Sequence, residues 1–218
     1  MRPIKTRSSS KVIGSWLGIA AAALMTAVPG PGMAYEKLPR PLAALSPADF
    51  ARQVDIADDP QESAVVLSTR EGYTRSRSIA GARANDVHLR ALVDRGTGRV
   101  SWQVWHELVY VGGPREVRAV HYFADGTQRR AVPVAVEHRL DECPPTDAVG
   151  FCNQFTRVAF ELPEDTVREI AKSYREGERA PWRLRFEDAN GRDMTGGLAP
   201  AEAAGLVQAL DAWRGRAG

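Results

Sequence analysis

The residues best suited to chemistry in this 218-residue chain are its four histidines, and all four fall in segments with strand patterning: His88, His106, His121 and His138. Side chains two apart on a strand share a face. On that parity His106 is in phase with Trp102, Val104, Leu108 and Tyr110. His121 is in phase with Val117, Ala119 and Phe123, and His138 with Val132, Val134, Val136 and Leu140. Three imidazoles turned toward one apolar interior could bind Zn or Cu, because neutral imidazole is a good ligand for both. The competing explanation is three separate semi-buried histidines, each with its own hydrogen bond, since parity says nothing about height along neighbouring strands. His88 is out of phase with Leu89, Ala91 and Val93 and is expected to face water.

Cys143 and Cys152 enclose the eight residues PPTDAVGF. In an oxidising compartment a lone pair at that spacing is expected to form a disulfide. Closing so short a loop contributes about 2.7 kcal/mol on the chain-entropy estimate. The spacing is not CxxC and no histidine flanks either sulfur, which argues against a redox pair or a metal site. Asp188, Asn190 and Asp193 around Gly191 are a fragment of a calcium loop, but the full pattern is missing and a hairpin turn explains them better. Arg70, Arg75, Arg77 and Arg83, interleaved with Tyr73 and serines, could contact an anionic surface or glycan. Trp102 and Trp105 point to opposite faces of one strand, so one ring is a candidate exposed anchor. There is no GxSxG, no GxxxxGK, and no second histidine to extend His106-Glu107 into HExxH. Nothing in the motifs therefore argues for an enzyme.

The elements that must position these residues are mostly strands. Ser46-Pro47-Ala48-Asp49 opens a short helix through about Gln53, with a serine N-cap and proline in the first turn. The stretch DIADDPQES reads as a loop. SAVVLST is a strand, and DVHLRALVD with VSWQVWHELVYV forms a hairpin around DRGTGR. REVRAVHYF and RAVPVAVEHRL follow as strands, and Pro133 marks the second as an edge strand or a bulge, since proline cannot donate to the ladder. TRVAFEL is a further strand. PEDTVREIAKSYREGE carries Val167, Ile170, Ala171 and Tyr174 at helical spacing. PWRLRFED turns through Asn190-Gly191, a strong hairpin signal. The end reads as a helix with Pro200 near its start and Gly215 past its end. The expected fold is mostly β: one antiparallel β-sandwich-like domain with two or three short helices. A half-closed barrel is the second choice.

Residues 1–34 read as a secretory signal: a basic start, the apolar run VIGSWLGIAAAALMTAV, the breakers from Pro29 to Gly32, and small residues before Tyr35. Cleavage is expected there, leaving a leader with a short helix at 35–62 and a single β-rich domain with a C-terminal helix at 63–218. No second long apolar stretch follows, so the mature chain is expected to carry no transmembrane anchor. The formal charge of +2 comes from Arg2, Lys5, Arg7 and Lys11; the remainder has 25 basic against 27 acidic residues, which gives no electrostatic case for nucleic acid. From Cys143 onward a close cysteine pair is followed by a strand, a short helix, a strand and a final helix. That order resembles the exported family called invasion-associated locus B; it rests on no specific motif, and no function is carried over from it.

These readings converge on an exported, non-catalytic protein of the periplasm or the medium, needing no cofactor, that binds or supports a component of the bacterial envelope. Its binding surface would involve Tyr73, Arg75, Arg77 and Trp105, and its partner would be an envelope protein or an anionic glycan. The alternative is a metal-binding protein or metal-dependent enzyme with Zn or Cu on His106, His121 and His138.

Overall fold

A computed structural model describes residues 37–70, 87–111, 113–140 and 153–217. The chain divides into a unit of residues 1–35 and a unit of residues 36–218, and everything described lies in the second. The signal segment, Tyr73, Arg75, Arg77 and the pair Cys143/Cys152 lie outside the described residues.

Two short helices come first, α1 (Arg40–Ala43) and α2 (Pro47–Arg52). The start of α2 is set as the sequence implies: the Ser46 side chain accepts from the Asp49 amide at 3.2 Å, and the Asp49 carboxylate accepts from the Ser46 amide at 2.8 Å. The strands are β1 (Asp55–Ala57), β2 (Ala64–Ser68), β3 (Val87–Asp94), β4 (Val100–Val111), β5 (Val117–Ala124), β6 (Thr127–Ala131), β7 (Pro133–Leu140) and β8 (Asn153–Leu162). Helix α3 (Glu164–Lys172), strands β9 (Trp182–Asp188) and β10 (Met194–Leu198), and helix α4 (Pro200–Ala217) complete the chain. Every strand pair is antiparallel, in a six-stranded sheet of order β1-β2-β3-β4-β8-β7 and a four-stranded sheet of order β10-β9-β5-β6. Among the described residues no helix is long and apolar enough to cross a membrane.

The alternation read from the sequence is what builds the core. On β4, Trp102, Val104, His106, Leu108 and Tyr110 are buried, while Gln103, Trp105, Glu107 and Val109 are half-buried on the other face. The buried set meets Phe160 and Val158 of β8, Leu89 of β3, and Leu184 and Phe186 of the second sheet. Phe160 and Phe186 touch edge to face at 6.4 Å, closing one sheet on the other. Helix α4 is buried on nearly every side from Ala201 to Leu206, so its interior is apolar all round rather than striped. It packs against α2 so closely that a Cβ on Gly205 would lie 2.5 Å from the Cβ of Phe50.

Three departures from the sequence reading have physical causes. Strand β1 forms in the stretch read as a loop; all three of its residues are exposed, so it rests on pairing with β2 and not on burial. RAVPVAVEHRL is not one strand. It breaks at Val132, placing β6 at the edge of the four-stranded sheet and β7 at the edge of the six-stranded one. Both options for Pro133 are realised, because β7 is an edge strand and its register with β8 shifts between Pro133 and Ala135. Finally, α4 runs through Gly215 in an exposed last turn, where glycine costs little enough for the helix to continue.

Candidate binding face

The three histidines proposed as a metal set are not brought together. His106 is fully buried between the sheets, its ring edge-on to Phe186 at 4.9 Å. His121 points to the outside of the four-stranded sheet. A register shift between Val117 and Ala119 inserts one residue, so Val120, Tyr122 and Ala124 turn inward and His121 turns out with Phe123. There its Nε2 lies 2.7 Å from the Glu187 carboxylate, and that hydrogen bond holds the Glu187 carboxyl below the usual carboxylate range. His138 does lie in phase with Val136, but at the open edge of its sheet. Its Nδ1 is 3.0 Å from the Thr156 hydroxyl, which in turn meets the Tyr110 hydroxyl at 2.7 Å. Strand β8 stands between His138 and His106, and two strand spacings are about 9.5 Å. Zn and Cu ligands must all reach within about 2.1 Å of one ion. Among the described residues no group of three His, Cys, Asp or Glu side chains could hold a metal. The fragment around Gly191 is a hairpin turn: Asp193 accepts from the Asp188 amide at 3.1 Å and from Arg185 at 2.5 Å, so an arginine occupies the place a cation would need.

The residues that do converge lie on the outer face of the six-stranded sheet. The β3–β4 register sets His88 opposite Trp105 and Arg90 opposite Gln103. Trp105 is half-buried, and its Nε1 donates to the Gln103 side chain at 3.2 Å. The Arg90 guanidinium lies over the indole, 4.6 Å from its centre. The His88 ring is stacked on it, with centroids 6.1 Å apart and planes 11° apart. His88 therefore takes the outward phase expected of it but does not face water; Trp105 and its surroundings leave it only 5% exposed.

The electrostatics of this face are one-sided. Glu107 is shared by Arg157 and Arg139, and Glu137 is paired with Arg157. Arg70 and Arg90 enter no ion pair among the described residues. Burial, then Arg90, Arg70 and Arg157 in that order, depress the His88 pKa to about 3, so the imidazole is neutral at any physiological pH. Burial, then Arg70 and Arg157, also lower the pKa of Arg90, against an opposing pull from the Glu137 carboxylate. Two polar atoms here are buried without a hydrogen-bond partner among the described residues, Nε2 of His88 and Nε of Arg90. An unsatisfied buried polar group costs about 1–3 kcal/mol. The Arg90 guanidinium lacks an acceptor for its Nε among the described residues, which leaves room for a negative group.

Of the residues proposed from sequence for binding, Trp105 is the one the structure places on this face. Arg90 and His88 were missed, although they are legible as cross-strand neighbours of Gln103 and Trp105 once the hairpin register is known. A separate cleft of about 240 Å³ lies among Leu38, Leu42, Tyr174, Pro181 and Trp182. It is smaller than ordinary ligand pockets, which start near about 300 Å³. Compared with protein-family models, with curated proteins and with solved structures, the chain matches none.

Proposed function

We propose that this chain is an exported β-sandwich binding domain that takes an anionic glycan on the outer face of its six-stranded sheet. The observation that carries this is Arg90. It is stacked on Trp105, and among the described residues it enters no ion pair and its buried Nε has no acceptor. Arg70, which enters no ion pair among the described residues, and neutral His88 stand beside it. An indole beside a guanidinium suits a sugar acid, whose C–H face packs on the ring while its carboxylate meets the cation. The export signal read at residues 1–34 supports an encounter with such ligands outside the cytoplasm.

The test is calorimetric titration with an oligomer of uronic acid and with a neutral oligosaccharide of the same length. The uronate is expected to bind, more weakly as salt rises, and the neutral sugar not to bind. Losing one charge-assisted hydrogen bond costs about 1.5–3 kcal/mol, so Arg90→Gln is expected to weaken binding about tenfold or more. Trp105→Ala is expected to weaken it comparably. Equal binding of both sugars, or affinities unchanged in both variants, would overturn the proposal.

A further inference from the structure

Strand β7 ends the six-stranded sheet, and among the described residues no strand pairs with its outer edge. Such an edge is a row of unsatisfied backbone donors and acceptors, and folded proteins blunt it with proline, bulges or like charges. Here Pro133 and the register shift before Ala135 blunt only the beginning. Beyond them the strand runs regularly from Ala135 to Leu140, with each residue in step with β8. Exposed apolar surface spans the blunted start and the first part of this run: Val132 is 63% exposed, Val134 53% and Val136 38%.

The charges along this edge are self-complementary rather than repulsive. Glu107 of β4, Arg157 of β8 and Glu137 of β7 stand opposite one another in one row, an acid-base-acid sequence that stops at the edge. The next row runs Val109, Phe155, Arg139, with the Arg139 guanidinium 4.2 Å from the Phe155 ring centre. If two β7 strands pair antiparallel about His138, Glu137 of each copy falls opposite Arg139 of the other. Both rows then continue across the junction with alternating sign, the favourable arrangement for cross-strand charged pairs. Centring the pair on Glu137 sets two glutamates opposite each other, and centring it on Arg139 sets two arginines together. Centring it on Val136 carries Arg139 onto Pro133, which has no N–H to donate.

We propose that the edge of β7 is a docking surface for a second copy of this chain, the two β7 strands pairing antiparallel about His138. The contact is isologous, so each substitution acts twice. The test is analytical ultracentrifugation of the protein as purified from the cell that makes it, across a dilution series to sub-millimolar concentration. Wild type is expected to shift reversibly from monomer to dimer. Glu137→Arg alone and Arg139→Glu alone each replace two attractive pairs with two repulsive ones. Each is expected to raise the dissociation constant about tenfold or more. Mixing the two single variants is expected to restore dimers, because the reversed charges are complementary between copies. A wild type that stays monomeric throughout overturns the proposal, and so does a dimer indifferent to both reversals or a mixture that fails to pair. If a reversal variant fails to fold, amide exchange of wild type decides. Protection at residues 135–139 that grows with concentration supports the pairing, and protection independent of concentration overturns it.

Discussion

A buried neutral histidine facing arginines has a measurable cost in acid. In the unfolded chain His88 titrates at the ordinary histidine value of 6.5, and in the fold burial and the neighbouring arginines depress it to about 3. A depressed histidine binds its proton more readily when unfolded. Stability is therefore fully present above the unfolded value and is lost as pH falls from about 6.5 toward about 3. The loss approaches about 1.4 kcal/mol per pH unit inside that window, and integrates to about 2 kcal/mol between pH 7 and pH 5. The assay is urea unfolding of wild type and His88→Gln at both pH values. The lowered carboxyls of Asp49, Asp94 and Glu187 also respond to acid, but they are common to both proteins and cancel in the comparison. Wild type is expected to lose about 2 kcal/mol more than the variant. Parallel losses in the two proteins would mean that His88 is not held neutral beside Arg90, Arg70 and Arg157, and the electrostatic description of the face would fail.

Further outcomes follow from the core and from the N-terminus. A Cβ at Gly196 would overlap Nε2 of His106 and lie 2.9 Å from Cε2 of Phe186, and both rings are fully buried. Gly196→Ala is therefore expected to destabilise by about 1–3 kcal/mol, read as a lower thermal midpoint; an unchanged midpoint would refute this packing. Intact mass spectrometry of the protein recovered from an exporting cell is expected to show loss of residues 1–34 and an oxidised Cys143–Cys152 pair. A full-length mass with two free thiols would refute both expectations.

How far the fold could be read from sequence differs from strand to strand. Strand β4 was fully legible, because its strict alternation from Trp102 to Tyr110 separates a buried face from a half-buried one. The hairpin was legible in detail too. Once its turn sets Val93 against Val100, counting back brings His88 to Trp105 and Arg90 to Gln103. Parity failed where the backbone slips. The shift between Val117 and Ala119 turns His121 outward, and no residue type at that point announces it. The break at Val132 divides what patterning reads as one strand, with only Pro133 as a warning. The burial of His88 was illegible for another reason, since it depends on a large ring arriving from the neighbouring strand. Neither the missing acceptor of Arg90 nor the missing partner of His88 Nε2 can be seen in a sequence, because an unsatisfied atom is defined by what surrounds it.

The most direct test of the binding face is hydrogen exchange of the whole protein with and without the uronate oligomer. Added protection is expected in β3 and β4 around His88, Arg90, Gln103 and Trp105, and is expected to vanish in Arg90→Gln. Protection confined to the cleft by Leu42, Tyr174 and Trp182, or none anywhere at saturating ligand, would contradict the assignment of this face.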